Sequence, residues 1–128
     1  MSEGKVFLID DDPVARQLYS RALEKAGFSV MGTDRVIGTA SQINEFSPDL
    51  ILLDVMMPAL SGDKIVQILR QAIRSAPIII LFSNKSEDEL QKLRKDCGAD
   101  DCITKIGGLN QLLRKVNEHI WKRKGANA

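Results

Sequence analysis

Short apolar runs and helical patterns alternate from one end of the chain to the other. Val6–Ile9 is apolar without a break and predicts a strand covered on both faces. Asp12 offers an N-cap, and Pro13 fits the first helical position. Val14, Leu18, Ala22 and Ala26 then recur at helical spacing, and Gly27 ends that helix. Phe28–Met31 predicts a more polar strand at a sheet edge. Residues 36–46 carry Val36, Ala40, Ile43 and Phe46 at helical spacing, before the break at Ser47-Pro48-Asp49. Leu50–Leu53 predicts the third strand, and 54–62, with Pro58 and Gly62, a loop. Ile65, Ile68, Leu69 and Ile73 mark a third helix, and Ile78–Phe82 a fourth strand. Ser86 and Glu89 form a capping box for a helix near 86–96, which Gly98 ends. Cys102–Thr104 predicts a short fifth strand; Leu109, Leu112, Leu113, Val116 and Ile120 mark the last helix. From Lys122 onward there is no apolar face, and this tail is expected to fray.

The pattern amounts to five strand–helix units without an internal repeat. Strands buried on both faces need helices on both faces, so the predicted fold class is α/β with a doubly wound, five-stranded parallel sheet. With 128 residues, 44% hydrophobic and 27% charged, the chain suits one globular domain. A net charge of +1 gives no basic excess to recruit nucleic acid or an anionic membrane. No apolar run approaches the about 20 residues that a membrane span needs, and the first residues lack a signal-peptide pattern. Cys97 and Cys102 have no zinc-like spacing; they read as reduced thiols, which suits the cytoplasm.

In doubly wound sheets ligands bind beyond the carboxyl ends of the strands. The first strand is followed there by Asp10, Asp11 and Asp12, the second by Thr33 and Asp34, the third by Asp54, the fourth by Ser83 and Asn84, and the fifth by Lys105. Converging carboxylates repel one another and are stabilised by raised pKa values or by a cation. An oxygen-rich set suits a hard ion, most simply Mg²⁺. Carboxylates, a metal, a lysine and a hydroxyl together suit phosphoryl transfer, in which a carboxylate can be the nucleophile. Asp54, alone at the end of the central strand, is the candidate nucleophile; the adjacent Asp10 and Asp11 are candidate metal ligands.

These residues resemble the receiver domain of two-component response regulators over nearly the whole chain. The matching motifs are Val6–Pro13, Leu52–Pro58 followed by Gly62, Ile79–Ser83, and Asp101–Lys105. The resemblance implies a flavodoxin-like (βα)5 sheet of strand order 2-1-3-4-5, with residues 1–122 as the receiver domain and 123–128 as a frayed tail. It implies that Mg²⁺ is held by Asp10, Asp11, Asp54 and the backbone carbonyl of Met56. It also implies that Asp54 accepts a phosphoryl group from a histidine kinase or phosphotransfer protein, and that Ser83 and Lys105 contact the phosphate. Such a domain is a signalling module, not a turnover enzyme. It assists its own phosphorylation and dephosphorylation. It then reshapes the face of the fourth helix, fifth strand and fifth helix toward a downstream protein or a transient homodimer.

Several positions depart from the family pattern. Ile106-Gly107-Gly108 stands where proline and phenylalanine usually follow the lysine, so the bond after Lys105 is expected to be trans. Cys102 replaces the usual aromatic of the fifth strand, and Asn84 a usual small residue. Lys85 is expected to reach toward the phosphoryl group and, with Met56, to slow its hydrolysis. Lone His119 reads as a surface residue, Trp121 as a packing residue, and the Arg114-Lys115 and Lys122–Lys124 runs as partners of the helix dipole. Two other functions compete. Asp10-Asp11-Asp12-Pro13-Val14 also fits a haloacid-dehalogenase-like phosphatase with Asp10 as nucleophile, and a receiver-like scaffold would carry no phosphate at all. The chain reads either as a stand-alone regulator or as a piece of a longer one.

Overall fold

The computed structural model describes residues 3–55 and 62–126. Five parallel strands form one sheet in the order β2-β1-β3-β4-β5: β1 (Lys5–Ile9), β2 (Ser29–Thr33), β3 (Leu50–Leu53), β4 (Ile78–Ser83) and β5 (Asp101–Thr104). The register sets Ile9 level with Thr33 on one side and Leu53 on the other, and Leu53 level with Leu81. β4 runs on to Ser83, level with Thr104. The carboxyl ends of the strands therefore form one rim.

Alternation along the fully buried strands divides the core in two. Val6, Leu8, Leu50, Leu52, Ile80, Phe82 and Ile103 face α1 (Pro13–Lys25) and α5 (Gly108–Ala126), meeting Leu23, Leu112, Val116 and Ile120. Phe7, Ile9, Ile51, Leu53, Ile79 and Leu81 face α2 (Ala40–Phe46), α3 (Gly62–Ala72) and α4 (Glu87–Cys97), meeting Ile43, Ile65, Leu69 and Leu90. As the sequence predicts, the Asp12 side chain caps α1 by accepting from the Val14 N–H, and Ser86 caps α4 by accepting from the Glu89 N–H. Cys97 and Cys102 are both buried.

Several details differ from the sequence reading. The inward stripe of α1 is Tyr19 and Leu23, whereas Val14 is 73% and Leu18 52% exposed. Helix α2 starts at Ala40 instead of residue 36, because Gly38 adopts φ +82°, which L side chains rarely adopt. Trp121 is 74% exposed and does not pack in the core. Residues 123–126, expected to fray, continue α5. Their anchor is Arg123, whose guanidinium donates to the carbonyls of Ser75 at 2.7 Å and Ala76 at 2.8 Å and to Asp49 at 3.4 Å.

His119 is not merely a surface residue. Its Nε2 donates to the Asp101 carboxylate at 2.8 Å and ties α5 to β5, with the Lys115 ammonium 3.7 Å from the same carboxylate. Partial burial pushes the Asp101 carboxyl up. The His119 bond, the Cys102 N–H and the Lys115 charge outweigh that and hold it below its ordinary 3.8. A depressed carboxyl pKa contributes stability above 3.8 that is lost as pH falls through the folded value. Asp101→Asn is therefore expected to cost about 1 kcal/mol at neutral pH. In urea unfolding, the gap to wild type should close as the medium is acidified below 3.8.

Candidate functional site

The rim gathers its charged groups from β1, β3 and β5. Asp10 follows β1, and its N–H donates to the Thr33 carbonyl at 3.1 Å, which fixes it beside β2. Arg16, on the first turn of α1, donates to the Asp10 carbonyl at 2.7 Å. Asp10 Oδ1 accepts from the Asp12 N–H at 3.0 Å. Asp54 follows β3, and its N–H donates to the Ile9 carbonyl at 2.9 Å. The carboxylates of Asp10, Asp11 and Asp54 each offer an oxygen within 4.8 Å of the others; Asp10 and Asp54 are buried and Asp11 is exposed.

Lys105 enters from the end of β5. Its Nζ donates to Asp10 Oδ2 at 2.9 Å and lies 3.7 Å from Asp54 Oδ2, with the side chain only 8% exposed. Burial by itself pushes this ammonium down; the bond to Asp10 and the charges of Asp54 and Asp10 outweigh it and hold the group above its usual 10.5. Ser83 is fully buried, and its hydroxyl accepts from the Lys85 N–H at 3.2 Å, which leaves its own proton free to donate.

The loop after Lys105 has its own solution to the missing proline. No peptide bond among the described residues is cis. A 3-10 turn, Lys105–Gly107, is capped by the Thr104 hydroxyl, which accepts from the Ile106 N–H at 3.3 Å. The same hydroxyl donates to the Lys85 carbonyl at 3.0 Å, joining this turn to the loop after β4. Gly108, at φ +83°, then starts α5.

The structure thus brings together Asp10, Asp11, Asp54 and Lys105, with Ser83 on the adjacent strand at the same rim. Met56 lies outside the described residues. The Lys85 ammonium lies 3.8 Å from Glu89, one turn into α4, so a reach toward the pocket is not what it shows. Asp12 caps its helix and is not in the acidic cluster, which removes the second acid of the phosphatase reading. Thr104 escaped the sequence reading although a hydroxyl just before a charged residue and a turn is a recognisable capping signal. Tyr19 gives no apolar signal in sequence because the inward stripe of α1 runs one position past Leu18 and Ala22, through Tyr19 and Leu23.

The model of the response regulator receiver domain matches residues 6–117, and the chain belongs to that family. It is 36% identical over 116 residues to the DNA-binding dual master transcriptional regulator RpaA of Synechocystis, covering 88% of this chain and 47% of the relative. It is 34% identical to a CpxR homologue of Haemophilus influenzae, covering 88% of this chain and 48% of the relative. The chain thus spans about half the length of these curated relatives. Among solved structures it is similar to a receiver domain protein of Methanospirillum hungatei, with TM-score 0.82 and 20% identity over 96% of this chain and 98% of that one. It is likewise similar to the chemotaxis protein CheY4 of Vibrio cholerae, with TM-score 0.79 and 24% identity over 90% and 97%. The sheet order and the five helices are those of this receiver fold.

Because Lys105 is the cation between two buried carboxylates, its removal exposes their repulsion. Lys105→Met is expected to lose about 2–3 kcal/mol of stability in metal-free buffer. Added Mg²⁺ should recover part of that loss, as read by urea unfolding with and without the ion.

Proposed function

We propose that this chain is a phosphoacceptor switch, with Asp54 taking a phosphoryl group from a histidine kinase or phosphotransfer protein. The observation that carries this reading is the convergence of three carboxylate oxygens within 4.8 Å of one another, beside an ammonium 2.9 Å from one of them. An acceptor carboxylate needs its charge balanced during attack, and this pocket supplies that balance.

An Asp54 oxygen attacks phosphorus as the bond to the donor breaks, leaving an acyl phosphate and the released donor group. The donor set fits Mg²⁺: hard carboxylate oxygens, two of them buried and one open to solvent. Asp10, Asp11 and Asp54 would hold it with the Met56 carbonyl, and when bound it supplies positive charge for the phosphoryl oxygens. Lys105 offers its ammonium to those oxygens and orients Asp54. Ser83 donates its free proton to one of them. The same groups speed both formation and hydrolysis of the acyl phosphate, so the domain assists its own chemistry while remaining a signalling module. The face of α4, β5 and α5 carries the signal to a downstream protein, and a transient homodimer through that face is part of the reading. No described helix is long and apolar enough to cross a membrane, and a net charge of +1 gives no basic excess to recruit nucleic acid. We place its action in the cytoplasm.

Incubation with Mg²⁺ and acetyl phosphate, followed by mass spectrometric mapping, tests this. A phosphoryl adduct on Asp54, absent in Asp54→Ala, is the expected result. Steady phosphate release that survives Asp54→Ala but stops in Asp10→Ala would support the phosphatase instead. No adduct at all would support the scaffold.

A further inference from the structure

The Lys105 ammonium has a second set of neighbours besides the carboxylates. It lies 5.6 Å from the centroid of the Tyr19 ring and 5.3 Å from that of Phe82, both within the reach of a cation–π contact. The two rings brace each other edge to face, at 4.7 Å between centroids and an interplanar angle of 78°. Phe82 is buried in the half-core under α1 and α5, and Tyr19 is packed against that core. The ammonium is thus held in a corner of two fixed ring faces.

The geometry points to Tyr19 and Phe82 as positioning residues for Lys105, which fix its ammonium beside Asp54 for phosphoryl transfer. This rests on the function proposed above. A lysine side chain has four rotatable bonds and loses its freedom only where contacts compensate. Gly107, which closes the short turn, and Gly108, which follows it, have no side chains to brace the lysine. Asp10 and Asp54 do hold the ammonium, but these carboxylates are also the groups that would hold a divalent cation. Their oxygens serve two positive charges. The ring faces carry no net charge and serve only one, so their hold on Lys105 is the same whichever state the acidic cluster is in. The rings act through Lys105.

The test uses the whole chain with Tyr19→Leu, Phe82→Leu and Tyr19→Phe. Each leucine keeps apolar bulk and removes a π face; the phenylalanine keeps the face. With Mg²⁺ and acetyl phosphate, each leucine variant is expected to lower the maximal rate of Asp54 phosphorylation about tenfold, while Mg²⁺ affinity changes less than twofold. Tyr19→Phe should restore the rate. In a Lys105→Met background, Tyr19→Leu should have no further effect. Leucine variants that match wild type, or an undiminished Tyr19→Leu effect without Lys105, would overturn the proposal.

A second readout needs no phosphorylation and works if a leucine variant is too unstable for kinetics. The Lys105 ε-CH₂ protons should be shifted upfield in the NMR spectrum by the ring faces. They should move toward free lysine in Tyr19→Leu and stay upfield in Tyr19→Phe. An ε-CH₂ shift near free lysine in wild type sinks the clamp. A wild type that takes no phosphoryl group but keeps the upfield shift sinks the functional reading instead, and leaves the clamp's geometry standing.

Discussion

Like charges gathered at one sheet edge are the constraint on which this molecule turns. Asp10, Asp11 and Asp54 bring three carboxylates together, two of them buried, and their repulsion would open the rim without an opposing charge. That charge arrives from 95 positions along the chain, as Lys105 meets Asp10. The ion pair exists only when β1, β3, β4 and β5 have all docked side by side in register. Site assembly and completion of the fold are therefore the same event. The strand ends are level at Ile9, Leu53 and Leu81, while β4 reaches further to place Ser83 opposite Thr104. A one-residue slip of any strand would turn its terminal side chain to the other face and scatter the set.

The strands were legible because burial on both faces leaves an unbroken apolar run, as in Val6–Ile9 and Leu50–Leu53. Helix phase was less legible. In α1 the apolar ranking favoured Val14 and Leu18, yet the inward positions are Tyr19 and Leu23. Tyrosine has a large apolar body under a polar tip, so a hydrophobicity pattern undervalues it. The end of α5 differs from its sequence pattern for the opposite reason. Arg123 looks like a solvated charge in sequence, but its forked guanidinium finds two loop carbonyls, at Ser75 and Ala76.

That Asp10, Asp11, Asp54, Ser83 and Lys105 share one rim is legible from position alone, since each sits just beyond or at a strand end. What aims them was not. The role of Thr104 depends on the path of the loop after β5, a 3-10 turn that its hydroxyl caps. Tyr19 and Phe82 lie 63 positions apart, and only the packing of α1 over β4 brings their rings together. His119 and Asp101 likewise meet only because α5 lies along β5.

The backbone of one residue, Lys85, ties much of this rim together. The Lys85 N–H is held by the Ser83 hydroxyl, and the Lys85 carbonyl by the Thr104 hydroxyl. Thr104 in turn caps the turn that launches Lys105. Two loops that look separate in sequence are therefore mechanically geared. The serine hydroxyl and the base of the lysine are two ends of one strut, so the pocket has fewer independent degrees of freedom than its loops suggest.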